Sequence, residues 1–262
     1  MQVLILCGGK GTRIAEVSDN AIPKGLVPVG RRPILWHIMK HYSSYGHDEF
    51  VLALGHLGRS IKEYFLNFDT TFSDLTVSLG PDPSVEVHRN GNTEDWAVTL
   101  ADTGLNTMTA GRVRRAAKYL TGDYFMLTYG DGVSNVDLAG LEAFHRDHGK
   151  LLTITGVLPP GRFGELHVEG NKVTRMVEKP ELGHHRHING GYMVASRGFL
   201  TAYLADIDDD VPLEREPMER AAKDGEMMMW EHDGFWQPMD TPRDWSALND
   251  IWSGGEAPWK TW

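Results

Sequence analysis

Three glycines, Gly8, Gly9 and Gly11, are followed at once by Thr12 and Arg13 in "LCGGKGTRI", directly after the apolar run of residues 3–6. Glycines let the backbone approach a polyphosphate, and successive N–H groups form a nest for an anion. A helix start beyond the loop would add its positive end. The spacing is neither the dinucleotide fingerprint nor a Walker loop, which would need Gly-Lys-Ser/Thr. A glycine-rich turn with no ligand is the plain alternative. Lys24 stands in Pro-Lys-Gly. A lysine is a mobile point charge suited to a phosphate that changes during a reaction, although a lone lysine is most often a solvated surface charge.

Two aspartates complete the set. Asp131, in "TYGDGV", falls at the end of a strongly apolar segment. Ligands of open α/β sheets bind beyond strand ends, and a carboxylate there suits Mg²⁺, which takes one or two carboxylates plus phosphate oxygens and water. Asp240, in "GFWQPMDTPRD", reads either as a cap for the following helix or as the second arm of a two-carboxylate clamp on one cation. Farther along, Glu165, Glu178, Lys179, Asn189 and Gly190 offer groups for sugar hydroxyls and a sugar phosphate, with plain strand-end turns as the alternative. The histidines at 184, 185 and 187 lack the spacing of a tetrahedral zinc site. No Ser-His-Asp set with a nucleophile elbow is present.

The elements that must position these residues follow from the apolar pattern. Strand signals at residues 3–6, 49–55, 124–129 and 151–158 alternate with helical spacing at 34–46, 59–68 and 138–150, which predicts a mainly parallel sheet flanked by helices. After residue 157 the pattern changes. "FGELHVEGNKVTRMVEKP" reads as a hairpin around Gly170-Asn171, and "HINGGYMVAS" as a strand rejoining the sheet. The run Met227-Met228-Met229-Trp230 reads as a buried strand. The expected organisation is one domain, 1–262, with a two-stranded β flap around 76–90 and a packed Gly- and Trp-containing tail at 253–262. The chain has 262 residues and a formal net charge of −10. That acidity argues against nucleic acid as a partner. No stretch predicts a membrane span or a signal peptide. The single cysteine, Cys7, excludes an internal disulfide, fits a reducing cytoplasm, and reads as a small buried hydrophobe.

Taken together, "LCGGKGTRI", "MTAGRVRR", "TYGDGV", "LPPGRFGEL", "EKP", "INGGY", "GFWQPMDTPRD" and "APWKTW" make the chain resemble the glucose-1-phosphate cytidylyltransferase family of sugar-1-phosphate nucleotidyltransferases. The resemblance implies a Rossmann-like (GT-A-like) α/β fold with a small β insertion and assembly into homo-oligomers. It implies transfer of CMP from CTP to glucose 1-phosphate with Mg²⁺. It assigns the nucleotide to Leu6, Gly8, Gly9, Gly11, Thr12, Thr109, Gly111 and Arg112, and catalysis to Arg13, Lys24 and Asp131. The metal falls to Asp131 and Asp240, and the sugar and its phosphate to Glu178, Lys179, Asn189 and Gly190. Lys10, Gly25, Ala110 and Arg31-Arg32 depart from the family pattern. They leave open another base or sugar, or an isomerase or mutase binding a finished nucleotide sugar. A non-catalytic sensor of such sugars is disfavoured by the retained Lys24, Asp131 and Asp240.

Overall fold

The computed structural model describes residues 1–18, 21–89, 93–158, 165–169, 172–177 and 187–262. The first strand, Val3–Cys7, lies inside a seven-stranded sheet. Glu49–Leu54 and then Ala97–Asp102 lie to one side of it. To the other side come Tyr124–Tyr129, Ile188–Ser196, Leu152–Val157 and Met227–His232. All run the same way except Ile188–Ser196, which is antiparallel to both neighbours. The fold is the expected mainly parallel α/β sheet.

Successive side chains of a strand point to opposite faces, and here both faces are covered. Val3 and Ile5 enter one core with Ile34, Leu35, Ile38, Met39 and Tyr42 of helix Ile34–Ser43. Leu4 and Leu6 enter the other with Ala110, Val113 and Ala116 of helix Thr109–Ala116. Burial on both sides explains why the first strand is apolar throughout rather than alternating. Helix Ile34–Ser43 stops three residues before Gly46, whose φ of 80° closes the turn that follows.

Asp74–Ser78 pairs antiparallel with Ser84–His88. Glu165–Glu169 pairs with Lys172–Val177 as the hairpin signal implied, and its Gly-Asn turn lies outside the described residues. Trp259 is fully buried and stacks on Phe235 and Trp252. One expectation fails. Among the described residues the Met227 run is a sheet edge, paired only with Leu152–Val157, and Met228 and Met229 are exposed. An edge strand can carry a continuous apolar run without being enclosed, so the run's composition misled. Among the described residues no helix is long and apolar enough to cross a membrane.

Candidate active site

A cleft of about 570 Å³ opens at the C-terminal ends of Val3–Cys7 and Tyr124–Tyr129, where α/β sheets hold ligands. The chain leaves the first strand through Gly8–Gly11 and enters a short 3-10 turn at Thr12–Ile14, closed by the Ile14 N–H donating to the Gly11 carbonyl at 3.1 Å. Gly11 has φ of 62°, a left-handed conformation that favours glycine. Gly9, Lys10 and Thr12 are exposed along the cleft.

Two aspartates 109 residues apart in sequence meet through a small β pair. Gly132–Ser134 pairs with Trp236–Pro238, and the Met239 N–H continues the register by donating to the Asp131 carbonyl at 2.8 Å. Asp131 and Asp240 thereby flank the same point. Lys24 fills it: its Nζ donates to Asp131 Oδ2 and to Asp240 Oδ1, each at 2.6 Å, from a side chain only 14% exposed. Burial alone would lower the Lys24 pKa. The charges and hydrogen bonds of Asp131 and Asp240 outweigh it, so the pKa is raised and the group stays an ammonium. Arg13 reaches the other oxygen of Asp240 at 3.0 Å. The helix Pro242–Ser253 is capped by Thr241 and Asp244 in a reciprocal capping box. Thr241, and not Asp240, therefore caps this helix.

Arg112 lies behind the loop. It is 5% exposed, and its guanidinium donates to the carbonyls of Leu54, Gly104, Gly8 and Leu105 and to Thr103 Oγ1, at 2.8–3.4 Å. A Cβ on Gly8 or on Gly55 would stand 2.3 Å from it. Both positions are glycine because Arg112 passes between them. Leu6 and Thr109 line the cleft, and the Thr109 hydroxyl donates to Glu214 at 3.0 Å while accepting from the Leu213 N–H at 2.7 Å. Gly111 does not line it. A Cβ there would meet Thr107 and Asp209 at 2.7–3.1 Å, so its lack of a side chain serves packing.

Asn189 and Gly190 do not line the cleft. Asn189 Oδ1 accepts from the Gly191 N–H at 2.9 Å, and the Gly190 carbonyl accepts from Trp236 Nε1 at 2.7 Å. Glu178, Lys179, His184 and His185 lie outside the described residues, as does the Glu165 side chain. Cys7 lines the cleft wall, and burial together with the Asp131 charge pushes its thiol pKa far up, against the opposing charge of Arg112. It is a poor nucleophile there. Sequence reasoning missed Tyr129 and Glu214. The Tyr129 hydroxyl donates to Glu214, and burial and then the Glu214 charge raise its pKa. Tyr129 stood inside the quoted "TYGDGV", whereas Glu214 sits among other acidic residues with no distinguishing spacing. Leu105, Asn106, Thr107 and Met108 complete one wall.

Among the described residues no group of three or more histidines, cysteines, aspartates or glutamates gathers to hold a metal ion. The pair Asp131 and Asp240 nonetheless converges on one cationic atom, Lys24 Nζ, with oxygen donors only. That donor set fits a hard divalent cation whose remaining ligands are phosphate oxygens and water.

The sheet, the glycine loop and the paired carboxylates are those of a nucleotide-handling α/β enzyme. Residues 2–250 match the model of the nucleotidyl transferase family, and the chain belongs to that family. It is 45% identical over 264 residues to the glucose-1-phosphate cytidylyltransferase of Salmonella typhi, covering 100% of both chains. It is 42% identical over 262 residues to the probable glucose-1-phosphate cytidylyltransferase of Bacillus subtilis, again covering 100% of both. The fold is also that of HddC from Yersinia pseudotuberculosis complexed with GMP-PN, with a TM-score of 0.66 at 21% identity over 96% of this chain and 99% of that one.

Proposed function

We propose that the protein transfers CMP from CTP to glucose 1-phosphate. A phosphate oxygen of the sugar phosphate attacks the α-phosphorus, a P–O bond forms, the bond to the β-phosphate breaks, and CDP-glucose and pyrophosphate leave. The observation that carries this reading is Lys24 held between Asp131 and Asp240, facing the glycine loop in one cleft. Identity of 42–45% along the full length of relatives named for this reaction supports the choice of CTP and glucose 1-phosphate. The rearrangement alternative has no such support.

The roles follow from position. Gly8, Gly9, Gly11 and Thr12 would cradle the triphosphate with backbone N–H groups, and Arg13 would add charge at the rim. Leu6, Thr109 and Tyr129 would border the nucleoside, while Arg112 would hold the shape of the loop through the Gly8 carbonyl. Gly111 would let helix Thr109–Ala116 pack closely enough to present Thr109. Lys24 would pair with the α-phosphate as negative charge builds there. Asp131 and Asp240 would hold Mg²⁺, which when bound supplies Lewis-acid charge on the phosphate oxygens. Glu178, Lys179, Asn189 and Gly190 would receive the sugar and its phosphate. We further read residues 1–262 as one domain working in the cytoplasm as a homo-oligomer.

The test is pyrophosphate release from purified protein with Mg²⁺, glucose 1-phosphate and, in turn, CTP, UTP, dTTP, GTP and ATP. The expected result is release with CTP, and CDP-glucose by mass. Folded protein that releases no pyrophosphate from any triphosphate would overturn the reading.

A further inference from the structure

We propose that Lys24 is a tethered competitor for the divalent cation, so that the two carboxylates accept the cation only when the ammonium moves off them toward a phosphate. This rests on reading Asp131 and Asp240 as the metal clamp. The ammonium takes one oxygen of each carboxylate at 2.6 Å. A cation bridging the same two groups would need the space Nζ occupies. Two like charges at contact in a partly buried site repel strongly, so they cannot share the clamp unchanged. Asp240 is doubly engaged, since Arg13 Nη1 holds its second oxygen at 3.0 Å.

The fold fixes the stem of Lys24 and leaves its head to move. The Lys24 carbonyl accepts from the Val27 N–H at 3.1 Å, and the Leu26 N–H donates to the Pro23 carbonyl at 2.7 Å. A Cβ on Gly11 would lie 3.3 Å from Lys24 Cβ, so the loop rests against the start of the side chain. The head borders the same cleft as the glycine loop. A polyphosphate seated there offers the ammonium an alternative anionic partner, while a bare cation offers none. Cation and triphosphate therefore favour each other's binding through Lys24, in addition to any direct bond between them, and the coupling is reciprocal.

The test uses Mn²⁺ alone, titrated by electron paramagnetic resonance against the protein without nucleotide. Lys24→Met keeps the unbranched stem to within one atom of the ammonium and removes the charge, and Lys24→Gln is a second neutral variant should the first fold poorly by circular dichroism. Either should bind Mn²⁺ about tenfold more tightly than the parent, a typical size for such coupling. Adding Asp240→Asn to the neutral variant should abolish the gain. A folded neutral variant that binds Mn²⁺ no more tightly than the parent overturns the competition, while loss of that binding with Asp240→Asn leaves the clamp standing. Binding indifferent to both Asp131→Asn and Asp240→Asn, or absent from every form, overturns the clamp and the competition together. Crystals of the parent soaked in Mn²⁺ give an independent check. Metal on both carboxylates with Nζ still bonded to both would also refute the inference.

Discussion

Gly55 does not line the cleft, yet Gly55→Ala should damage it. A Cβ at this position would stand 2.3 Å from Arg112 Nη1 and 2.5 Å from Nη2. The guanidinium is the far end of a flexible side chain, but it is buried and cannot step aside without leaving its acceptors. Nη1 bonds Leu54, Thr103 and Gly104, and Nη2 bonds Gly8 and Leu105. Hydrogen bonds to a charged group contribute about 1.5–3 kcal/mol each, so losing two costs about 3–6 kcal/mol. At roughly 2–4 °C per kcal/mol for a chain of this order of size, the unfolding midpoint should fall by roughly 10 °C. Thermal unfolding followed by circular dichroism measures this, with Gly9→Ala as the control, since a Cβ there meets nothing within 4 Å. Because Nη2 holds the Gly8 carbonyl, the KM for CTP should rise as well. In an Arg112→Met background the same Gly55→Ala change should cost much less, a non-additivity that marks a shared contact. A Gly55→Ala protein that melts within about 2 °C of the parent, on the scale used above, would show that Arg112 relocates freely and refute the reasoning.

Asp131→Asn and Asp240→Asn should each lower kcat by about two orders of magnitude or more, since on the proposed reading each would remove an anionic ligand of the cation that stabilises developing charge; near-parental steady-state rates at saturating Mg²⁺ would argue against the clamp. Burial, the largest influence, holds the pKa values of His37 and His41 down at about 4 from the ordinary 6.5. The unfolded chain therefore takes up protons below pH 6.5 while the folded one does not until about pH 4. Stability should be full above pH 6.5 and fall between these values, each histidine costing up to about 3 kcal/mol at the acid end. Urea unfolding across that range would measure the slope, which His41→Asn should reduce; an unchanged slope would count against the burial argument. Trp259→Ala should cost about 3–5 kcal/mol by leaving a cavity, read by denaturant unfolding, and a loss below about 1 kcal/mol would mean the tail contributes little.

The sheet was legible because both of its faces are buried, which makes Val3–Cys7 and Tyr124–Tyr129 apolar along their length and leaves the intervening helices their own period. The glycine loop and Asp131 were legible because both sit where such strands end. Asp240 was ambiguous for a physical reason: a helix cap and a metal ligand look alike before a helix start, and the Thr241–Asp244 capping box and the pairing of Gly132–Ser134 with Trp236–Pro238 show only in the folded chain. The exposure of Met228 and Met229 was hidden because sheet order is not local information. Gly55 and Glu214 gave no signal, since their partners Arg112 and Tyr129 are far away in sequence. Arg112 was placed near the loop by resemblance, but its burial under five acceptors is a property of the packed protein alone.

The salt bridges of Lys24 join positions 107 and 216 residues apart. No local segment can form them. The chain must first close loops of that length, which is slow and entropically costly before any contact rewards it. During refolding, helices such as Ile34–Ser43 can form early, while the ammonium meets its carboxylates only when strands from the start, middle and end of the sequence have docked. Return of catalytic turnover after dilution from denaturant should therefore lag behind return of helical signal, making the enzyme's own activity a reporter for the last stage of assembly.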